Sequence, residues 1–212
     1  MTEVRTWRRR AIFAVVLSVL ALGMALRVRS ELSVWVLTGL AGALAIVTAL
    51  WALGGDLPSR LRINLHTTVV GGIGALVLAG LTWLIYPLVA DAAPGIVPTV
   101  RDLYASLDDP PGRVWALPIL VTVVTAEELI FREVALTRLV DRMPPLRAGA
   151  AAVLLYAIPQ MIGGSWLLVL LAVGCGAVWT AMRIGTRSLW APWLCHLGWD
   201  LLVFIVHPLE TP

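Results

Sequence analysis

The chain contains no lysine. All sixteen of its basic residues are arginine, set against thirteen acidic ones, for a formal net charge of +3. Only 14% of the 212 residues are charged, where a soluble domain carries about a quarter. That scarcity excludes an ordinary water-soluble domain. It also argues against a nucleic-acid binder, which gathers basic residues on one patch, whereas these arginines are scattered through the loops between apolar runs. Cysteine is nearly absent. Cys175 and Cys195 lie in apolar runs and form no CxxC pair, so no disulfide framework is indicated and both are expected to be small buried hydrophobes. There is no repeat of fixed period and no low-complexity tract.

What the sequence has instead is apolar length. Hydrophobic residues make up 59% of it and the mean hydropathy is +0.89. Seven apolar segments stand out, at about 11–26, 32–53, 67–90, 114–134, 148–162, 165–182 and 188–206. A helix needs about 20 residues to cross the hydrocarbon core of a bilayer. The predicted fold is therefore all-α, a polytopic transmembrane helix bundle of about seven spans, in which the first, fifth and sixth segments are short. Arg27 and Arg29, rather than small residues, follow the first run, so it is expected to be a retained span and not a cleaved leader. Glycines recur inside the spans (Gly71, Gly72, Gly74, Gly174 and Gly176, with Ala177 beside them) and permit close helix approach.

The arginines suggest an orientation. With a cytoplasmic N-terminus, Arg5, Arg8, Arg9, Arg10, Arg60, Arg62, Arg138, Arg142, Arg147, Arg183 and Arg187 fall inside, and only Arg27, Arg29, Arg101 and Arg113 fall outside. That asymmetry follows the positive-inside rule. The longest connection, Asp91 to Arg113, holds four prolines and three aspartates beyond its first residue. It is too polar to cross a membrane, and a surface helix is expected around Thr99–Leu107.

Ionisable residues within such spans are costly and need a partner or a function. The sequence Glu127-Glu128-Leu129-Ile130-Phe131-Arg132 follows an apolar run. Glu128 and Arg132, four residues apart, share a helix face and can form an ion pair. Glu127 points about 100° away from Glu128 and has no such partner, which suits it to act as a base toward water. His196 and Asp200 are again four apart, so Asp200 could orient the imidazole or both could face a common ligand. Gln160 lies late in the fifth segment, and Glu133 adjoins the acidic pair. The spacing from the predicted span limits puts Glu127 and His196 at a shared depth, roughly 11 Å from the cytoplasmic edge. One cavity opening toward the cytoplasm is expected between the fourth, fifth and seventh spans.

EELIFR resembles the EExxxR motif of the CAAX prenyl protease and bacteriocin-processing (CPBP, also called Abi) family of intramembrane endopeptidases. HLGWD resembles that family's closing HxxxN/D motif, and GTRSLWAPWLCHLGWD its usual ending. The resemblance covers roughly 114–206. It implies a core there, preceded by variable spans and a loop over 1–113 and followed by a short tail at 207–212. It further implies a glutamate-dependent endopeptidase in which Glu127 activates water and Glu128 and Arg132 support it. His196 and Asp200 would stabilise the oxyanion or hold the site together. The implied substrate is a peptide or protein at the membrane, with the bilayer as the other partner and no nucleic acid. The cofactor stays open, since some members are described as metalloproteases and a divalent ion such as zinc is within the family's range. Two positions depart from the family pattern. Its middle motif is FxxxH, whereas this chain reads YAIPQ, so Gln160 stands where a histidine positions water. Glu133 replaces the glycine that commonly follows the motif's arginine. The alternative expectation is a catalytically degenerate member that binds a membrane partner; a proton-linked carrier ranks behind both, for want of an inverted repeat. The all-arginine, Ala-, Gly- and Leu-rich composition suits a bacterial cytoplasmic membrane protein.

Overall fold

The computed structural model describes residues 2–28, 33–54, 57–110, 112 and 117–210. Arg29, Arg113 and Val114, used above for orientation and for the start of the core, lie outside the described residues.

Most of the described residues are helical, and no strand occurs among them. The elements are α1 (Thr2–Arg27), α2 (Val34–Leu53), α3 (Leu57–Leu61), α4 (Leu65–Ala92), α5 (Ile96–Leu107), α6 (Leu117–Glu127), α7 (Leu136–Val140), α8 (Pro145–Ile162), α9 (Trp166–Thr186) and α10 (Trp190–Asp200). Two stretches of wider π-helix complete the set. One, Glu128–Ala135, joins α6 to α7, and the other, Leu201–Val206, extends α10.

Among the described residues, five helices are long and apolar enough to cross a membrane: the Trp7–Arg27 part of α1, with α2, α4, α8 and α9. The other two expected spans are the continuous helical segment 117–140 and Trp190–Val206, each interrupted in winding by a π-helical stretch. The first, fifth and sixth spans are not short as expected. Their helices run on through interfacial charge and proline, from Trp7 in α1, from Pro145 in α8 and to Thr186 in α9, where counting apolar residues alone stops early. Similarly, α5 begins at Ile96, three residues before the expected Thr99.

Local chemistry explains the boundaries. Gly54 (φ 65°) closes α2, its N–H bonding to the Leu50 carbonyl, in the left-handed conformation that glycine adopts freely. Asn64 and Thr67 form a reciprocal capping box at the start of α4. Pro145 occupies the first turn of α8, where its missing N–H costs nothing. The Ser165 hydroxyl accepts from the Leu168 N–H to start α9.

Packing inverts the pattern of a soluble protein. Large apolar side chains such as Leu40, Leu76, Leu84 and Leu154 face outward, while Ala14, Ala45, Ala49, Ala79 and Ala148 are fully buried. That is the arrangement a bilayer requires, because helices in lipid associate through close backbone approach. Three of the noted glycines serve it. A Cβ on Gly71 would meet the Ala191 carbonyl and Leu194, one on Gly74 would meet Met182 and Cys195, and one on Gly176 would meet Tyr156. Gly72 and Gly174 face open space, and Ala177 is exposed. Both cysteines are free and buried, as expected.

The bundle has two distinct ends. At one, Ser188 and Leu189 at the start of α10 bond back to the Leu61 and Arg60 carbonyls of α3, and Arg138 lies over the Trp7 ring at the start of α1. This is the arginine-rich end. At the other, the apolar face of α5 (Ile96, Val100, Tyr104 and Leu107) is buried against the bundle. There Trp35 donates to the Leu107 carbonyl at 2.9 Å and Tyr104 to the Val203 carbonyl at 2.8 Å.

Candidate active site

The site forms where segment 117–140, α8, α9 and α10 converge. Segment 117–140 brings Glu127 as the last α-helical residue and Glu128 as the first of the π-helical stretch. The i→i+5 winding turns each residue through less than the 100° of an α-helix, so consecutive side chains stay closer to one face. Glu128 and Arg132 are fully buried and Glu127 nearly so. The Glu128 Oε1 to Arg132 Nη1 separation is 3.4 Å, which makes the expected ion pair.

Glu127 does have a partner, one that its own helix does not supply. Tyr156 of α8 donates its hydroxyl proton to Glu127 Oε2 at 2.7 Å. His196 Nε2 lies 3.7 Å from the same oxygen. The imidazole is oriented by Glu128, with Nδ1 2.9 Å from Glu128 Oε1. Of the two alternatives for Asp200, orienting the imidazole or facing a common ligand with it, the geometry favours the second. Asp200 Oδ2 is 3.8 Å from Nε2, beyond hydrogen-bond range, and faces the cavity. The imidazole also stacks on the Trp179 indole at 3.6 Å and 17°. Arg132 covers the Tyr156 ring at 4.1 Å and approaches Trp179 at 5.3 Å, a cation–π setting that suits a planar guanidinium. Its Nε, Nη1 and Nη2 have no hydrogen-bond partner among the described residues, so ring faces and Glu128 hold it.

These groups border a cavity of about 170 Å³, lined by Glu127, Tyr156, Gln160, Trp179, His196 and Asp200 among others. That is roughly ten times the room one water needs. Four of the six expected residues, Glu127, Gln160, His196 and Asp200, therefore share one chamber, and Glu128 and Arg132 stand directly behind it. The lining of this chamber runs away from the arginine-rich end, through Thr38, Trp35 and Val34 of α2, Leu26 of α1, and Leu103, Ser106 and Leu107 of α5. At the arginine-rich end, where the span limits place an opening, two other cavities, of about 210 and 320 Å³, have Glu128 and Arg132 respectively in their linings.

Glu133 does not belong to this site. It is buried and held by Arg183, at 3.1 Å from Nε and 2.8 Å from Nη2, by Arg60, and by the Thr137 hydroxyl at 3.2 Å. It is a clamp joining α3, the π-helical stretch and α9. Sequence reasoning gave no role to Tyr156 or Trp179. Tyr156 could have been found, because it lies one helical turn before Gln160 on the same face. Nothing local distinguishes Trp179 among ten tryptophans.

The donors do not suit a metal ion. No group of three or more His, Cys, Asp or Glu side chains is arranged to hold one among the described residues. His196 turns Nδ1 to Glu128, Arg132 pairs with that carboxylate, and the middle motif offers an amide in place of an imidazole.

Gly176 sets the position of Tyr156. A Cβ there would lie 2.8 Å from the Tyr156 ring and 3.3 Å from Arg132 Nη2. Gly176→Ala is expected to displace the tyrosine from Glu127, at a cost of about 1–3 kcal/mol in stability, and to reduce site function beyond that loss. Thermal unfolding in detergent and turnover, measured on the same preparation, check this.

No curated protein and no solved structure matches the chain. Residues 110–202 match the family model of the Rce1-like type II CAAX prenyl endopeptidases, which bears out, over that segment, the resemblance carried by EELIFR and HLGWD and marks this integral membrane chain as CAAX-protease-like.

Proposed function

We propose that the chain is an intramembrane endopeptidase that uses Glu127 as its general base. The observation that carries this reading is the placement of Glu127. Its carboxylate borders a chamber with room for several waters, with one oxygen fixed by Tyr156 and the other left to accept a proton. Water attacks the scissile carbonyl carbon as its proton passes to Glu127. The C–O bond forms and the carbonyl π pair moves to oxygen. A proton on His196 Nε2, the nitrogen that faces the chamber, stabilises that oxyanion. Glu127 then returns its proton to the amide nitrogen, the C–N bond breaks and the amine leaves. Glu128 holds the imidazole by Nδ1, and Arg132 balances Glu128. Asp200 supports the charge on His196 from the chamber side. No step uses a metal. The test compares protein N-termini in cells lacking the chain, in cells carrying it and in cells carrying Glu127→Ala. N-termini present only with the native chain support the reading, and the same N-termini in Glu127→Ala cells overturn it.

A second reading, a degenerate member that binds without cutting, is favoured by Gln160. The amide lines the chamber and can hydrogen-bond water, but it cannot take up a proton. Gln160→His is expected to raise turnover by up to about 10²-fold, the lower end of what a positioned acid–base group contributes. Activity created in Gln160→His where the native chain has none identifies the native form as degenerate. Turnover by the native chain excludes the binding-only reading.

A further inference from the structure

A second recess, on the lipid-facing side of the bundle, has no part in the proposed chemistry. Helices α4 and α9 both pack against α10, and between them lies a cavity of about 470 Å³. Another of about 390 Å³ adjoins it along α4, sharing Leu78 and Leu81. Each falls within the range of about 300–1,000 Å³ usual for ligand pockets. Together they run along α4 from Val69 to Val89, about 30 Å at 1.5 Å per residue, which is the depth of a hydrocarbon core. Leu81, Ile85 and Leu170 form an exposed rim.

The larger cavity is apolar and roofed. Its hydroxyl groups, on Thr82, Tyr86 and Tyr104, are all bonded within the protein. A polar occupant would lose hydration there without gaining a partner. Ile96 and Val100 of α5, with Leu209 of the tail, cover the end nearest α5. The tail is tied down by Trp83 to the His207 carbonyl, by Tyr86 to Glu210, and by its Leu209 N–H to Tyr104. A spanning helix of another chain would have to pass through this roof. A hydrocarbon chain ends inside the bilayer and fits beneath it.

We propose that the recess binds an acyl chain of a membrane phospholipid, and that this chain supports the reaction chamber from outside. Arg101, 58% exposed beside the roof, supplies a cation at the level of the lipid phosphate. Leu103, Leu171, Cys175, Trp199 and Phe204 line both the recess and the chamber, so one layer of side chains separates them. Rings carry the contact inward. Phe204 meets Trp199 at 5.5 Å, Trp199 meets Trp179 at 6.0 Å, and Trp179 stacks on His196. An acyl chain gives Trp199 and Phe204 packing partners on their outer side. Neither the binding nor the support rests on the peptidase reading.

The test needs no turnover. The full chain is placed in phosphatidylcholine–phosphatidylglycerol vesicles doped with a phospholipid that carries a diazirine on its acyl chain. After irradiation, labelled residues are mapped by mass spectrometry. Gly174 lines the recess, and a Cβ there meets nothing within 4 Å, so Gly174→Leu grows into the space. Leu81→Trp blocks it from α4 and keeps the test decisive if Gly174→Leu fails to fold. The expected result is heavier labelling at Ile85 and Leu170 than at the outward-facing Leu76 and Leu154, falling to their level in either variant. Equal labelling at all four positions, or labelling unchanged in both folded variants, overturns the site. A dimer in detergent that is lost in Gly174→Leu, with no label in the recess, makes a second copy the occupant and also overturns it. Stripping lipid with excess detergent should lower the unfolding temperature of the native chain but not that of Gly174→Leu, whose leucine replaces the lipid. An equal response of the two overturns the supporting role.

Discussion

Glu127→Gln is expected to lower the cleavage rate by about 10²–10⁴-fold, the contribution of a positioned general base, while the protein still folds. The substitution is chosen for what it keeps. An amide oxygen at the same position can still accept the Tyr156 hydroxyl, bonded to Glu127 at 2.7 Å, so the contact between segment 117–140 and α8 survives. What it removes is the capacity to take a proton from water. A loss of turnover with an unchanged unfolding temperature therefore isolates chemistry from packing. Tyr156→Phe should do less harm to rate, because the carboxylate remains and only its orientation loosens. If Glu127→Gln turns over within a few-fold of the native chain, the proposed base is wrong.

The second large effect concerns stability and lies away from the chamber. Glu133→Ala is expected to destabilise the protein by about 3 kcal/mol, toward the lower end of the range for breaking a buried ion pair. The glutamate is wholly buried, whereas Arg60 and Arg183 keep 22% and 15% of their side-chain surface. Without the glutamate, the two guanidiniums can still partly reach water, which limits the cost. Glu133→Gln should lose less, since the amide oxygen can still accept from Arg183. Thermal unfolding in detergent measures both. The result also separates the clamp from catalysis. If Glu133→Ala abolishes turnover at temperatures where the fold is intact, the assignment of Glu133 to structure is wrong.

This clamp illustrates what the sequence could and could not convey. In the sequence Glu133 only adjoins the acidic pair and stands where the family pattern has a glycine, which says nothing of its role. Its partners lie 73 and 50 residues away, on α3 and α9. A local motif cannot report that kind of contact. Glu128–Arg132 was legible, because four-residue spacing brings two side chains together on any helix. The convergence of Glu127 with His196 was legible too, from the matching depth of two antiparallel spans. The identity of the orienting group was not. Asp200 is near in sequence and Glu128 is near in space, and the tertiary contact won. The spans were found from apolar length, but their ends were not, because helices at a membrane surface continue through Arg8, Pro145 and Arg183. Nothing in the local sequence announces the π-helical winding at Glu128–Ala135, since its side chains would suit an α-helix equally well. Wider turns of this kind recur at functional sites, and here one begins at the second of the two glutamates.

The apolar layer buried beside the chamber also has a meaning for the membrane. A hydrolytic site needs water, and a water-filled passage through a bilayer would leak ions. Here Ile130, Phe131, Val134 and Ala135, which follow the two carboxylates and flank Glu133, are buried and do not line the chamber. Moving a full charge through 100 mV costs about 2.3 kcal/mol, and a buried apolar layer of this kind opposes the passage of ions. The bundle can thus keep a wet reaction chamber at membrane depth and remain an insulator.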